Sequence, residues 1–255
     1  MKSALWQLLS GSIHLMYLKG GSYYCDLVQK CSTTEHKDFI IIERDLKRSK
    51  IKIEYFQASN PHLQVSLGRV LKACTLHKSY CPNMLTIAMA LLMFLEEEEA
   101  FYVLAALSTK YPEYFQREPE SSTEDTKKFS TLLTTKISNH FKNNRIDVTS
   151  IAISWFLCLY IDKIPWEATL RVMDCFIAEG PNILIQMGAT ILNRQEAELL
   201  KLNNTDSVRQ FMSMVQFDCG DLLKEYPNNI FFQRPNLLNI PNIPNILKEK
   251  LKINF

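Results

Sequence analysis

Apolar residues recur at intervals of three and four positions over most of the chain, with polar residues between them. One run with this spacing is Leu67, Val70, Leu71 and Cys74, and another is Phe101, Leu104, Ala105 and Leu107. Such spacing places the apolar side chains on one face of a helix. Only 7 glycines and 10 prolines occur among the 255 residues, so few residues interrupt helices. The pattern predicts an all-α fold built as a multi-helix array.

Residues that begin or end helices punctuate the second half of the chain. Asp147 and Thr149 are alternative N-caps for a helix that carries Trp155, a residue expected to anchor the core. Pro165 is suited to open the next helix and Gly180 to end it. Three further helices are predicted at about residues 183–192, 197–202 and 208–215.

Three segments depart from the helical pattern. Residues 116–128 are rich in polar side chains and predict a solvated loop. Residues 51–55 alternate apolar and charged side chains, but no second strand is evident, so we expect an extended connector. Residues 216–255 are rich in Asn, Pro and Ile and predict a C-terminal extension, in which residues 245–252 have the composition of a short helix. The folded domain is therefore expected at residues 1–215.

The overall composition is that of a folded protein without a strong charge. Hydrophobic residues make up 47% and charged residues 22% of the chain, and the formal net charge is +2. This small net charge gives no general attraction to nucleic acid, and the sequence contains no basic stripe interleaved with aromatic residues. The seven cysteines lack zinc-ligand spacing, so we expect reduced, mostly buried thiols and no metal site.

The longest apolar run, Met84–Leu95, ends at four consecutive glutamates. It is shorter than the roughly 20 residues that a membrane-spanning helix requires, so it predicts a buried helix. The glutamates, Glu96–Glu99, point around a helix axis instead of converging on a cation, and carboxylates favour the positively charged start of a helix. The N-terminus does not have the pattern of a signal peptide, so we expect a cytoplasmic protein without a transmembrane segment.

Three segments, in their order and spacing, resemble the motifs of the TBC-domain Rab GTPase-activating proteins. The segment Leu5–Gly11 is similar to the family's opening segment, with Lys2 where an arginine is usual. Residues 42–49 match the family pattern Ile-x-x-Asp-x-x-Arg, in which Arg48 takes the position of the arginine finger. The third segment, Tyr80–Met84, resembles the family's Tyr-x-Gln-x-Met pattern, with Pro82 in place of the glutamine. The likeness extends over about the whole predicted domain.

The resemblance implies that Arg48 is inserted beside the nucleotide of a partner GTPase, where a guanidinium stabilises the charge of the transition state. The family's glutamine is thought to orient the attacking water, and the Pro82 side chain has no donor or acceptor for that task. Asn83 follows directly, but one helical step turns its side chain by about 100°, and it is shorter than glutamine. Asn83 is therefore not expected to replace the missing glutamine.

Four residues are candidates for supporting this site or for contacting the partner: Asp45, Arg69, Tyr80 and Asn83. Asp45 is expected either to orient Arg48 or to form an ordinary surface ion pair. Tyr80 either directs its hydroxyl toward the partner or has a purely structural place. Arg69 either meets an acidic surface of the partner or remains exposed and uncommitted.

The resemblance implies a GTPase-activating protein for a Rab-family small GTPase, with an activity that the missing glutamine weakens. The alternative is a catalytically inactive scaffold or effector of the same fold that binds GTPases or other proteins. An unrelated helical adaptor is the third reading, and it requires Arg48 and Pro82 to lie far apart. The domain is expected to have no cofactor of its own, because GTP and Mg²⁺ belong to the partner. We expect a cytoplasmic location with indirect association with endomembranes through the GTPase.

Overall fold

The computed structural model describes residues 2–49, 62–116, 123–161 and 163–217, and every regular element in these ranges is helical. The helices are α1 (Lys2–Ser10), α2 (Ser12–Lys19), α3 (Tyr23–Thr33), α4 (Lys37–Arg48), α5 (Leu63–His77), α6 (Asn83–Leu92), α7 (Glu97–Lys110), α8 (Thr123–Leu132), α9 (Thr135–Asn143), α10 (Val148–Leu157), α11 (Trp166–Glu179), α12 (Asn182–Arg194), α13 (Glu196–Leu199) and α14 (Thr205–Met214). A 3-10 turn, Pro112–Tyr114, follows α7. The predicted all-α class is confirmed.

Helices α5 and α7 form the centre of the first half of the domain. Helix α5 packs against α3, α4, α6 and α7, while α7 also contacts α1 and α2. Nearly every side chain of α6 is buried, so the long apolar run of the sequence is a core helix as predicted. Helix α7 begins with a capping box in which Glu96 and Glu99 each accept a backbone hydrogen bond at the helix start. The glutamate run therefore has the helix-starting role expected of it.

Helix α12 is the centre of the second half and packs against α8, α10, α11 and α13. A Cβ at Gly188 would lie 2.7 Å from the hydroxyl oxygen of Tyr160, so only glycine leaves room for that side chain. The Tyr160 hydroxyl in turn donates a hydrogen bond to the Leu184 carbonyl oxygen at 2.5 Å. Trp155 of α10 is buried, as expected for a core anchor. The close approach at Gly188 thus fixes the segment after α10 against α12.

Helix α1 joins the two halves, since it packs against both α7 and α11. The Trp6 side chain is fully buried, and its indole Nε1 donates to Asp174 Oδ1 at 2.8 Å. Lys2 Nζ donates to the other carboxylate oxygen of Asp174 at 2.5 Å. One carboxylate of α11 therefore holds two side chains of α1.

The helix boundaries in the second half follow the predicted signals closely. Asp147 accepts a hydrogen bond from the backbone N–H of Ser150 at 3.2 Å, so Asp147 is the N-cap of α10 and Thr149 is not. Pro165 directly precedes α11, and Gly180 ends it with a φ of 94° that other residues rarely adopt. The three helices expected after Gly180 are α12, α13 and α14, of which α13 is shorter than expected.

The prediction of a solvated loop over residues 116–128 is wrong from Thr123 onward, where α8 begins. Phe129 is fully buried and attaches this helix to the core. The hydroxyl of Tyr114 donates to Asp125 Oδ2 at 2.7 Å and holds the polar first half of the helix. Tertiary contacts therefore stabilise a helix that composition alone does not favour.

Several predictions fall outside the described ranges. These are the connector at 51–55, the loop at 117–122 and the short helix at 245–252. The described part of the chain ends at residue 217, so the proposed boundary between a domain at 1–215 and an extension at 216–255 stays a prediction.

The described cysteines form no disulfide with one another, and their burial is less general than expected. Cys74, Cys81 and Cys175 are buried, whereas Cys25 is exposed and Cys158 is half-buried.

Among the described helices, none has both the length and the apolar character needed to cross a bilayer.

Candidate functional site

Arg48 is the last residue of α4 and its side chain is exposed. The helix buries Asp38, Ile42 and Leu46, so its opposite face points to solvent. Within the described ranges, the Arg48 side chain takes part in no hydrogen bond or ion pair. The backbone N–H of Ser49 donates to the Asp45 carbonyl oxygen at 3.0 Å, which closes the final turn of α4. The helix thus ends with an exposed arginine whose backbone is fixed and whose guanidinium donors are available within the described ranges.

Tyr80 connects α4 to the turn that contains Pro82. Its ring is 1% exposed, and its hydroxyl donates to Asp45 Oδ2 at 2.8 Å. Burial raises the pKa of Tyr80 above its usual range, and the hydrogen bond to Asp45 raises it further, so the tyrosine is a neutral donor. Asp45 lies one helical turn before Arg48, and Tyr80 lies two residues before Pro82. The segment that contains Arg48 and the segment that contains Pro82 are therefore in contact. The reading as an unrelated helical adaptor required them to lie far apart.

Pro82 is exposed and forms the N-cap of α6, with φ −58° and ψ −30°. This position offers neither a side-chain hydrogen bond nor a backbone N–H. The neighbouring Asn83 is committed elsewhere, because its Nδ2 donates to the carbonyl oxygens of Tyr114 at 2.7 Å and Leu157 at 3.1 Å. The Asn83 amide thus ties the start of α6 to the 3-10 turn and to the end of α10.

Arg69 forms an ion pair within the domain, contrary to the expectation that it remains uncommitted. Its Nε and Nη2 donate to the two carboxylate oxygens of Glu97 at 2.6 and 2.5 Å, a bidentate pair. The hydroxyl of Tyr24 donates to the same carboxylate at 2.6 Å. These bonds link α3, α5 and α7, so Arg69 has a structural role in the first half of the domain.

Glu97 is expected to make the stability of the domain depend on acid pH. Burial by itself raises the pKa of Glu97, but hydrogen bonds from Arg69, Tyr24 and Ser66 outweigh it and leave the pKa below the ordinary value of about 4.5. Its contribution is therefore fully present above about pH 4.5 and is lost as the pH falls through the lower folded-state pKa. The free energy of unfolding in urea, measured between roughly pH 3 and pH 7, should decline less steeply with acid in Glu97→Gln than in the unmodified protein.

Glu98→Gln is the matched control, because Glu98 is in the same helical turn and, in the part of the chain that the structure describes, receives no such cluster of donors. An equally flattened acid decline in Glu98→Gln would show that Glu97 has no special part in the pH dependence.

The Tyr80–Asp45 bond predicts a paired loss of stability and activity. Tyr80→Phe removes the donor and leaves the carboxylate without it, so the free energy of unfolding should fall by about 1–2 kcal/mol. Tyr114→Phe removes a similar bond to Asp125 in the second half of the domain and should cost about as much. If the Tyr80 bond positions Arg48, only Tyr80→Phe should also lower the rate of partner GTP hydrolysis. Equal hydrolysis rates for the two variants would limit Tyr80 to a structural role.

Two acidic residues of structural importance were not singled out from the sequence. Asp174 receives both Lys2 and Trp6, and Glu97 receives both Arg69 and Tyr24. Partners that lie 168 and 172 residues apart along the chain leave no local pattern that would reveal the Asp174 contacts.

Comparison with known proteins agrees with the motifs. The Rab-GTPase-TBC domain family matches residues 1–200. The mouse protein "TBC1 domain family member 10B" is 30% identical over 224 residues, which cover 85% of this chain and 28% of that protein. The mouse protein "TBC1 domain family member 10A" is 33% identical over 201 residues, covering 75% of this chain and 39% of that protein. The chain therefore spans well under half the length of these two relatives.

Solved structures give the same picture at the level of the fold. The crystal structure of the Chlamydomonas flagellar RabGAP TBC domain superposes with a TM-score of 0.71 and 26% identity, covering 83% of this chain and 73% of that one. The Ypt/Rab-GAP domain of Gyp1p superposes with a TM-score of 0.64 at 14% identity, covering 85% and 83% of the two chains. The second likeness is one of fold alone.

Proposed function

The chain belongs to the Rab-GTPase-TBC domain family, and on that premise we propose that it is a GTPase-activating protein for a Rab-family small GTPase. The partner supplies GTP and Mg²⁺, and this chain supplies Arg48 in trans. Any association with endomembranes is then indirect and follows the location of the GTPase in the cytoplasm.

The observation that carries the proposal is the guanidinium at the end of α4, which is exposed and has no partner among the described residues. The Tyr80–Asp45 bond fixes this helix end against the Pro82 turn. Hydrolysis of GTP spreads negative charge over the transferring phosphoryl group. A guanidinium placed beside that group stabilises the charge as it develops. An exposed helix end offers Arg48 to a nucleotide bound in a partner's open site.

The missing glutamine is expected to weaken the activity. Pro82 provides no group that orients water, and the Asn83 amide nitrogen already donates to two carbonyl groups. Water must then be oriented by a glutamine of the GTPase itself, as in GTPases that use their own switch glutamine. The proposed reaction thus relies on this chain for charge and on the partner for positioning the nucleophile.

A second candidate function is binding without acceleration, as a scaffold or effector. Pro82 is the specific feature that favours it, because half of the family's catalytic pair is absent. The same surface would then recognise the GTP-bound partner, and Arg48 would contribute to binding only.

Single-turnover GTP hydrolysis by a panel of purified, GTP-loaded Rab proteins tests the proposal. Acceleration of at least one Rab by the unmodified domain, abolished in Arg48→Ala, supports the activator. Binding is measured in parallel with Rab proteins that hold a non-hydrolysable GTP analogue. Binding without acceleration favours the scaffold, and the absence of both would reject the Rab partner altogether.

A further inference from the structure

Four of the six exposed residues of α4 are cations, and the other two are Ile40 and Glu43. Lys37, Ile40, Arg44, Lys47 and Arg48 are all exposed and make up what we term the α4 cationic face. With 3.6 residues per turn, these five positions fall within a sector of about 100° around the helix axis. The face runs for roughly 16 Å from the first turn of the helix to its end. Arg48 is thus the end of a continuous surface and not an isolated cation.

The four cations of this face differ from cations nearby in being unpaired within the described ranges. On adjacent or contacting elements, Lys72 binds Glu43 at 2.6 Å and Arg69 binds Glu97 in a bidentate pair. Of the acidic residues of α4 itself, Asp38 is buried, Glu43 pairs with Lys72 and Asp45 accepts from Tyr80. Among the described residues, no carboxylate forms an ion pair with the cations of the α4 cationic face.

Helix electrostatics explain only part of this arrangement. Cations in the last turn interact favourably with the helix dipole, which accounts for Lys47 and Arg48. Lys37 lies in the first turn, where a cation is unfavourable. Ile40, 67% exposed, lies between the cations on the same face, although a lone exposed isoleucine would need no explanation. Four cations around an exposed isoleucine give this face a local positive charge, which an acidic surface of a partner would complement.

We propose that the α4 cationic face docks along an acidic surface of the GTPase beside its nucleotide, with Ile40 against an apolar spot of that surface. The inference rests on the proposed function, because it takes Arg48 as the point that meets the nucleotide. Residues three and four positions apart on a helix are only about 5–6 Å apart, so a partner that reaches Arg48 also meets Arg44 and Lys47. A basic surface at that place would be repelled by unpaired cations, which makes the face a selector among GTPases.

The experiment uses a Rab protein that binds in the panel, loaded with a non-hydrolysable GTP analogue, and measures association by stopped flow. The double variant Arg44→Gln/Lys47→Gln should lower the association rate constant roughly tenfold at low ionic strength. The difference should shrink at high ionic strength, because salt screens exposed charges. Ile40→Gln should instead raise the dissociation rate without changing the salt dependence. Lys142→Gln, an exposed lysine of α9, is the matched control and should bind as the unmodified domain does.

The outcomes separate this inference from the proposed function. Unchanged association of the double variant at low ionic strength, with normal thermal unfolding, would overturn the docking surface and leave the activator intact. Binding that shows the expected salt dependence without any acceleration of hydrolysis would support the surface and reject the activator. A panel in which no Rab protein binds would overturn both.

Discussion

Replacing Arg48 by alanine is expected to lower the acceleration of GTP hydrolysis by on the order of 10³-fold or more, since arginine fingers contribute about 10³–10⁵ in rate. The side chain is exposed and unpaired within the described ranges, so its removal should leave the free energy of unfolding within about 0.5 kcal/mol of the unmodified value. The measurement is single-turnover GTP hydrolysis at a saturating concentration of the domain, which separates the chemical step from binding.

Arg48→Lys is the matched control for this prediction. Lysine keeps the positive charge but lacks the planar, multidentate guanidinium, so most of the acceleration should still be lost. If Arg48→Ala accelerated hydrolysis as well as the unmodified domain, Arg48 would not be the finger. Loss of binding together with loss of rate would instead assign Arg48 to recognition.

Replacing Pro82 by glutamine is expected to raise hydrolysis by on the order of 10²-fold, the scale of one well-positioned hydrogen-bonding group in an active site. Pro82 is exposed and has an ordinary helical backbone conformation, so glutamine can occupy the position without strain. Its effect on stability should be small, because only the stiffness that proline gives the unfolded chain is lost. The rate is measured with the same panel and the same saturating domain.

Asn83→Gln is the informative comparison, since it places the same carboxamide one residue later. The Asn83 amide holds the carbonyls of Tyr114 and Leu157, and the longer side chain should not keep both bonds. We expect no gain in rate and a loss of about 1–3 kcal/mol in the free energy of unfolding. Equal acceleration by Pro82→Gln and Asn83→Gln would show that it matters little which of the two residues carries the carboxamide. No gain from Pro82→Gln, despite tight binding, would favour the scaffold.

Helix boundaries were predicted well wherever the sequence carries a local signal for the start or the end of a helix. Asp147 and Gly180 are a side-chain cap and a positive-φ stop, and both act within a few residues of their own position. Helix α8 was missed because its stability comes from elsewhere, through buried Phe129 and the Asp125–Tyr114 bond. A polar composition describes the exposed side of such a segment and says nothing about the one residue that attaches it to the core.

The sequence predicted some residues of the candidate site, but it did not predict the contacts between them. Arg48 and Pro82 were located by motif, because their roles are tied to fixed positions in short segments. The bond between Tyr80 and Asp45 joins residues 35 positions apart, and sequence reasoning left open whether either residue had a structural role. The commitment of Arg69 to Glu97 was also missed, since a bidentate pair depends on how α5 and α7 pack. Pairings of this kind arise from the assembled fold.

The double contact at Asp174 has a consequence for how the chain folds during synthesis. Lys2 and Trp6 leave the ribosome well before the carboxylate that receives them, which is made 168 residues after Trp6. At about 5–20 residues per second, α1 waits roughly 10–30 s for this partner. Throughout that time the indole of Trp6 lacks its native acceptor, and the apolar side of α1 lacks α11. Helix α1 is therefore made early in this domain and completes its native contacts only after α11 has been synthesised.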